Sequence, residues 1–150
     1  MDNQKNPTID AMACNCIAVR MRMLNRVVTN LYDDALRPLG LKVSQLNILV
    51  VTAKLGLAQP AKVCDILQLD TSTLSRNVDK IRGRGWLEVV PGEDARTQPF
   101  RLTAKGKRLL ERAVPAWQKA QSQATEFLGD DGITLLGKAT SKLGMPQAKA

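Results

Sequence analysis

Residues 60–102 limit the fold more than any other part of the chain. Pro60 suits the first turn of a short helix over 60–67, where its missing amide hydrogen costs nothing. Gln68 and Leu69 leave room only for a tight turn. Asp70 then caps a second helix over 71–83, and its carboxylate favours the positive end of the helix dipole. That helix lies within "LDTSTLSRNVDKIRGRG" (69–85). It hides Leu74, Val78 and Ile81 on one side and presents Thr71, Ser72, Thr73, Ser75, Arg76, Asn77 and Lys80 on the other. "WLEVV" (86–90) and "QPFRL" (98–102) are strand candidates joined by the turn-rich "PGEDART". Pro99 fits an edge position. Two short helices, a tight turn and a hairpin make a winged helix-turn-helix.

The flanks read as helices. Ile17, Met21, Leu24, Val28 and Leu31 recur every three or four positions, which predicts a long amphipathic helix from about Asp10 to Ala35, stopped by "RPLG" (37–40). Ser44 is expected to cap a helix reaching about Leu55, with Val43 and Ile48 as a hydrophobic staple. Thr103 caps another long helix that carries Leu109, Leu110, Ala113, Trp117, Ala120, Ala124 and Phe127, with a kink or break expected at Pro115. Asp130 and Asp131 open a last short helix with Ile133, Leu136 and Leu143 on one side. The fold class is therefore mainly α, with six helices and a small β-hairpin wing.

With 150 residues and 44% apolar content, the chain suits one domain with a real core. The longest apolar stretch, "LNILVV" (46–51), is far too short to span a bilayer, and no apolar run of signal-peptide type opens the chain. A cytoplasmic protein without a membrane partner is expected. Histidine is absent, which removes Ser-His-Asp and Cys-His catalysis and every imidazole metal site. No catalytic residue, metal or cofactor is expected. The net charge of +8 suggests nucleic acid, yet residues 70–101 hold six bases against five acids. Pattern, and not charge, marks the 71–83 helix.

That pattern suits a DNA major groove. Hydroxyls and amides at a helix N-terminus bind phosphates. Arginine bonds guanine bidentately, asparagine does so with adenine, and threonine methyls touch thymine. A solvated polar face is the plain alternative. The tight turn and the hairpin behind it favour the reading head.

Four segments, "LYDDALRPLGLKVSQLNIL" (31–49), "LDTSTLSRNVDKIRGRGWLE" (69–88), "GEDART" (92–97) and "LTAKGKRLL" (102–110), follow one another in an order that resembles the MarR family of bacterial transcriptional regulators. The resemblance covers nearly the whole length, residues 1–150. It implies a winged helix-turn-helix over 40–102 and a homodimer formed through helices at 10–37 and 103–143. The partner it implies is double-stranded DNA carrying a palindromic operator. By position, Ser72, Thr73, Ser75, Arg76 and Asn77 match the contacting part of the recognition helix. Ser44 and Gln45 match a helix N-terminus that approaches phosphate. Asp94 and Arg96 match the wing pair, in which the arginine enters the minor groove and the aspartate holds it. A narrow groove's negative potential attracts such a guanidinium; a weak surface ion pair is the alternative. One departure is Gln68, where the turn often has glycine.

Cys14 and Cys16, two apart on a helix, point to different sides and form no relaxed disulfide while the helix persists. Some MarR-like proteins sense oxidants through cysteine, so a redox role stands beside simple packing. Cys64 reads as core. Trp117 is a candidate for an effector pocket taking a small aromatic or lipophilic molecule, since related proteins bind such ligands where the dimer and DNA-binding regions meet; ordinary core is the alternative. The expected function is a non-enzymatic, sequence-specific regulator, a repressor released by an effector or oxidant. The competing readings are a thiol-based redox enzyme using Cys14 and Cys16, and a winged-helix module that binds protein.

Overall fold

The computed structural model describes residues 7–92, 94 and 98–145. Six helical segments run in the order α1 (Pro7–Asn15), α2 (Ile17–Leu36), α3 (Val43–Leu55), α4 (Pro60–Leu67), α5 (Thr71–Gly83) and α6 (Ala104–Ser141), with a 3-10 turn over Arg37–Leu39. Strands β1 (Leu87–Val89) and β2 (Phe100–Leu102) form an antiparallel hairpin between α5 and α6, in which Leu87 faces Leu102 and Val89 faces Phe100. Ala58, in the α3–α4 connection, bridges Phe100 through two backbone bonds of 2.8 and 3.0 Å. The winged helix-turn-helix expected between residues 60 and 102 is present.

The expected first helix is interrupted at Cys16, whose backbone is extended (φ −65°, ψ 112°). The break takes the Cys14 carbonyl out of the helical ladder, and the Arg20 guanidinium donates to it at 2.7 Å. The two helices expected at the C-terminal end run together over Ala104–Ser141 but are kinked at Gly129, directly before the expected start at Asp130. With α1–α2 and the kinked α6 counted once each, the described residues hold five helices, one fewer than expected. Helical angles continue through Pro115, and the non-helical residue lies at Gly129 (φ 68°, ψ 171°). Leu109 and Ala113 are buried before the proline, Ala120 and Ala124 after it. Packing on both sides therefore holds the helix through the one amide donor that Pro115 lacks. Glycine alone takes the angles at 129 without strain.

The α3 terminus also differs. Its N-cap is Lys42, not Ser44, so Ser44 sits inside the first turn. The Val43 amide donates to Asp33 Oδ1 of α2 at 2.8 Å, and the Lys42 amide donates to Gln45 Oε1 at 3.1 Å. Moving the cap by two residues moves the staple positions to Leu41 and Leu46, both in the core.

The core lies within the winged-helix region. Leu36, Leu41, Ile48, Leu49, Val63, Leu74, Ile81, Trp86, Leu87, Phe100 and Leu109 form one buried cluster. Each such large side chain contributes roughly 1.5–3 kcal/mol on burial. The hairpin is fixed to α6 through "LTAKGK": Thr103 Oγ1 donates to the Gly85 carbonyl at 2.6 Å and accepts from the Gly106 amide at 3.0 Å. Gly106 is buried, and a Cβ there would stand 2.1 Å from the Trp86 carbonyl oxygen. Among the described residues no helix is long and apolar enough to cross a membrane.

Candidate nucleic-acid interface

The apolar stripe of α5 forms as the periodicity predicts. Leu74, Val78 and Ile81 are buried against the core, leaving Thr71, Ser72, Ser75, Arg76, Lys80 and Arg82 exposed on the open side. The turn before α5 is closed by Gln68, which adopts the left-handed conformation itself (φ 52°, ψ 46°) and donates from Nε2 to the Asp65 carbonyl at 2.7 Å. A non-glycine residue there costs roughly 1–2 kcal/mol.

Asp70 does more than cap. Its Oδ1 accepts from the Thr73 amide at 2.7 Å and from Ser72 Oγ at 2.6 Å, and its Oδ2 accepts from Thr73 Oγ1 at 2.7 Å. Thr73 Oγ1 in turn accepts from Arg76 Nη2 at 3.3 Å. The Ser72 and Thr73 hydroxyls, followed by the Thr73 amide, hold the Asp70 carboxyl well below the usual carboxylate range. Sequence reasoning treated those two hydroxyls as free. The signal was available, because an aspartate two and three residues before hydroxyl side chains is a local hydrogen-bonding pattern.

Asn77 is half-buried, and its Nδ2 donates to the Thr73 carbonyl at 3.0 Å, so it lies along the helix and is less open than Arg76. Arg82 pairs with Asp79 at 3.3 Å across the exposed surface. Arg84 turns back, with its guanidinium carbon 5.5 Å from the Trp86 ring centre, and its carbonyl accepts from Lys105 Nζ at 2.8 Å. Arg84 is thus a packing residue. A cleft of about 200 Å³ separates α5 from the hairpin and is lined by Thr71, Ser75, Asp79, Arg82, Val89 and Gln98, among others. On the hairpin's outer side Arg101 Nε bonds Glu88 Oε1 at 2.6 Å.

Ser44 is exposed near the start of α3, whereas Gln45 is half-buried and occupied by its own helix end. Asp94 is exposed. Arg96, the other half of the expected wing pair, lies outside the described residues.

Trp117 is not core. It is 43% exposed and stands between two clefts of about 290 Å³ each. One is lined by Leu46, Asn47, Val50, Leu110, Ala113 and Val114 with Trp117. The other is lined by Asn25, Val28, Thr29, Tyr32, Val43 and Asn47 with Trp117. Asn47 belongs to both, and sequence reasoning missed it because only the α3–α6 packing reveals its place. Tyr32 donates its hydroxyl to Gln121 Oε1, and burial raises its pKa.

Cys14 is exposed on α1, and Cys16 is half-buried at the break. The continuous helix invoked to keep these thiols apart is therefore absent at Cys16. Cys64 is half-buried beside the core, and burial, then Asp65 and Asp70, push its thiol pKa up. A raised pKa disfavours the reactive thiolate.

The fold and the exposed α5 define a winged helix-turn-helix protein. A MarR family model matches residues 39–97. The multiple antibiotic resistance protein MarR of Salmonella typhimurium is 28% identical over 116 residues, covering 75% of this chain and 81% of that protein. A mutant MarR from E. coli, crystallised with operator DNA, has the same fold with a TM-score of 0.76 at 22% identity, covering 91% of this chain and 98% of that one. CouR from Rhodococcus jostii, solved with p-coumaroyl-CoA bound, gives a TM-score of 0.72 at 20% identity, covering 91% and 97%. The chain is similar to MarR-family regulators, most clearly over its winged-helix region.

Proposed function

We propose that this protein is a sequence-specific DNA-binding transcriptional regulator, a repressor that grips a palindromic operator as a homodimer and releases it on binding a small molecule or on oxidation. The observation that carries the reading is α5, with its apolar stripe locked into the core and its hydroxyls and bases on open surface beside a hairpin. Similarity to the MarR family favours a regulator over a thiol enzyme or a protein-binding module. The MarR relative solved with operator DNA supports the partner, and the relative solved with p-coumaroyl-CoA supports a small-molecule effector.

Within one domain spanning 1–150, residues 40–102 read DNA while 10–37 and 103–143 join two copies. Exposed apolar side chains on the flanking helices fit that division, among them Ile17, Met21, Met23, Phe127 and Leu135. Arg76, Ser72, Ser75, Thr71 and Lys80 are the contacts from α5, with Thr73 and Asn77 supporting them. Ser44 and the backbone at Gln45 approach phosphate, and Asp94 with Arg96 forms the wing contact. The clefts flanking Trp117 take the effector, and Cys14 with Cys16 is the oxidant-sensitive position. A ligand that binds the DNA-incompetent spacing of the two heads more tightly lowers operator affinity by shifting the population. The place of action is the cytoplasm.

Selection of bound sequences from random duplex DNA at physiological salt tests the reading. The expected result is a palindrome whose half-sites lie about one helical turn, roughly 34 Å, apart. Arg76→Ala and Arg96→Ala should each weaken binding to the selected duplex. Binding without sequence preference that falls steeply with salt, or no effect of either change, contradicts it.

A further inference from the structure

We propose that Asp70 sets the polarity of the reading head: it takes up the hydroxyl hydrogens of Ser72 and Thr73, so Ser72 meets the major groove as a hydrogen-bond acceptor and reads an exocyclic amine of adenine or cytosine. The proposal rests on the DNA-reading role of α5 and specifies what one residue of that helix recognises.

An ionised carboxylate only accepts hydrogen bonds, and a hydroxyl has one hydrogen and two lone pairs. Ser72 Oγ lies 2.6 Å from Asp70 Oδ1, so its hydrogen points at the carboxylate and its lone pairs are what remains for a partner. Ser72 is exposed on the open side of α5. Phosphate oxygens, guanine N7 and O6, and thymine O4 are all acceptors and cannot pair with it in this state. The major-groove donors are adenine N6 and cytosine N4. Turning the hydrogen outward would strip a partner from Asp70, whose depressed pKa reports how firmly these hydrogen bonds hold the charged form.

The same carboxylate fixes Arg76. Thr73 Oγ1 spends its hydrogen on Asp70 Oδ2 and accepts from Arg76 Nη2, so carboxylate, hydroxyl and guanidinium form one chain. One guanidinium hydrogen is engaged, and the others remain for DNA. Asp70 is therefore a positioning residue. Its negative charge also opposes phosphate close to the helix terminus, which disfavours indiscriminate backbone binding.

The experiment uses the full-length protein and the operator obtained by selection. Ser72→Ala identifies the base pair whose preference relaxes. Deleting the amine at that pair alone (purine for adenine, or 2-pyrimidinone for cytosine) should weaken the parent about tenfold, the scale of one lost base contact. The same deletion should change the affinity of Ser72→Ala less than about twofold, and that of Asp70→Gly less than that of the parent. Asparagine would keep Oδ1, the oxygen that accepts from both the Thr73 amide and Ser72, so the variant is Asp70→Gly, which removes both oxygens at a helix N-cap where glycine is tolerated. It should fold with a small loss of thermal midpoint and be less sensitive to the amine. Equal losses in the parent and Ser72→Ala overturn the proposal. So does an Asp70→Gly variant that stays as sensitive as the parent, or one that loses affinity evenly for all duplexes, the mark of a cap alone. If Asp70→Gly does not fold, the comparison of the parent with Ser72→Ala decides. A parent that selects no sequence overturns the DNA-reading role itself, and this proposal with it.

Discussion

The middle of this chain and its two ends dispose of their apolar side chains in opposite ways. Between Leu36 and Ala113 most of the large hydrophobic residues interlock in one buried cluster, with Val50 and Leu57 among the exceptions, and the polar groups of α5 are tied to one another by short bonds. On α1, α2 and the C-terminal part of α6 they face outward, with Ile17 at 76% and Leu135 at 67% exposure. A reading head must be rigid before it meets DNA, since ordering it on contact would subtract from affinity. Helices that wait for a second copy need the reverse, a surface left apolar until it is covered.

Phe100 should break the middle most severely. It is 2% exposed and joins β1, Ala58 and the core, so Phe100→Ala should lower unfolding free energy by about 3–5 kcal/mol in denaturant titration. At the ends the effect should appear as association. Ile17→Glu combined with Leu135→Glu should raise the dimer dissociation constant at least about thirtyfold by sedimentation equilibrium, the equivalent of about 2 kcal/mol, with helical content preserved. An unchanged constant would remove these helices from the interface.

Smaller effects sharpen the picture of the middle. Gly106→Ala forces a Cβ against the Trp86 carbonyl and should cost about 1–3 kcal/mol through backbone displacement. Asp70 predicts a pH effect. Its folded pKa is depressed, so the stability it provides is present above its ordinary pKa of 3.8 and is lost as pH falls below that value. The thermal midpoint should drop below about pH 3.8, and less steeply in Asp70→Asn. Gln68→Gly should be the mildest change, neutral or stabilising by up to about 1 kcal/mol in thermal unfolding, because glycine relieves the left-handed backbone while loosening the unfolded chain.

How far the sequence could be read followed the range of the interactions. The buried stripe of α5 and the paired strands were legible because periods of 3.6 and 2 are local. Ser44 was misplaced as a cap because the first α3 amide is met by Asp33, ten residues away on another helix. Pro115 was expected to break α6, yet packing of Leu109, Ala113, Ala120 and Ala124 carries the helix past it. Trp117 looked like core because its spacing suits a core stripe; the openness of the clefts beside it depends on where α3 and α2 lie. Asp70 was legible as a cap, but its hold on two further hydroxyls needs the side-chain geometry.

The division between a rigid middle and joining ends is tested most directly by comparing the intact selected palindrome with a single half-site in a duplex of equal length. Two chains should occupy the palindrome, and removing one half-site should weaken binding at least about a hundredfold, as expected when two tethered heads share one duplex. One chain bound with equal affinity to both duplexes would contradict the account.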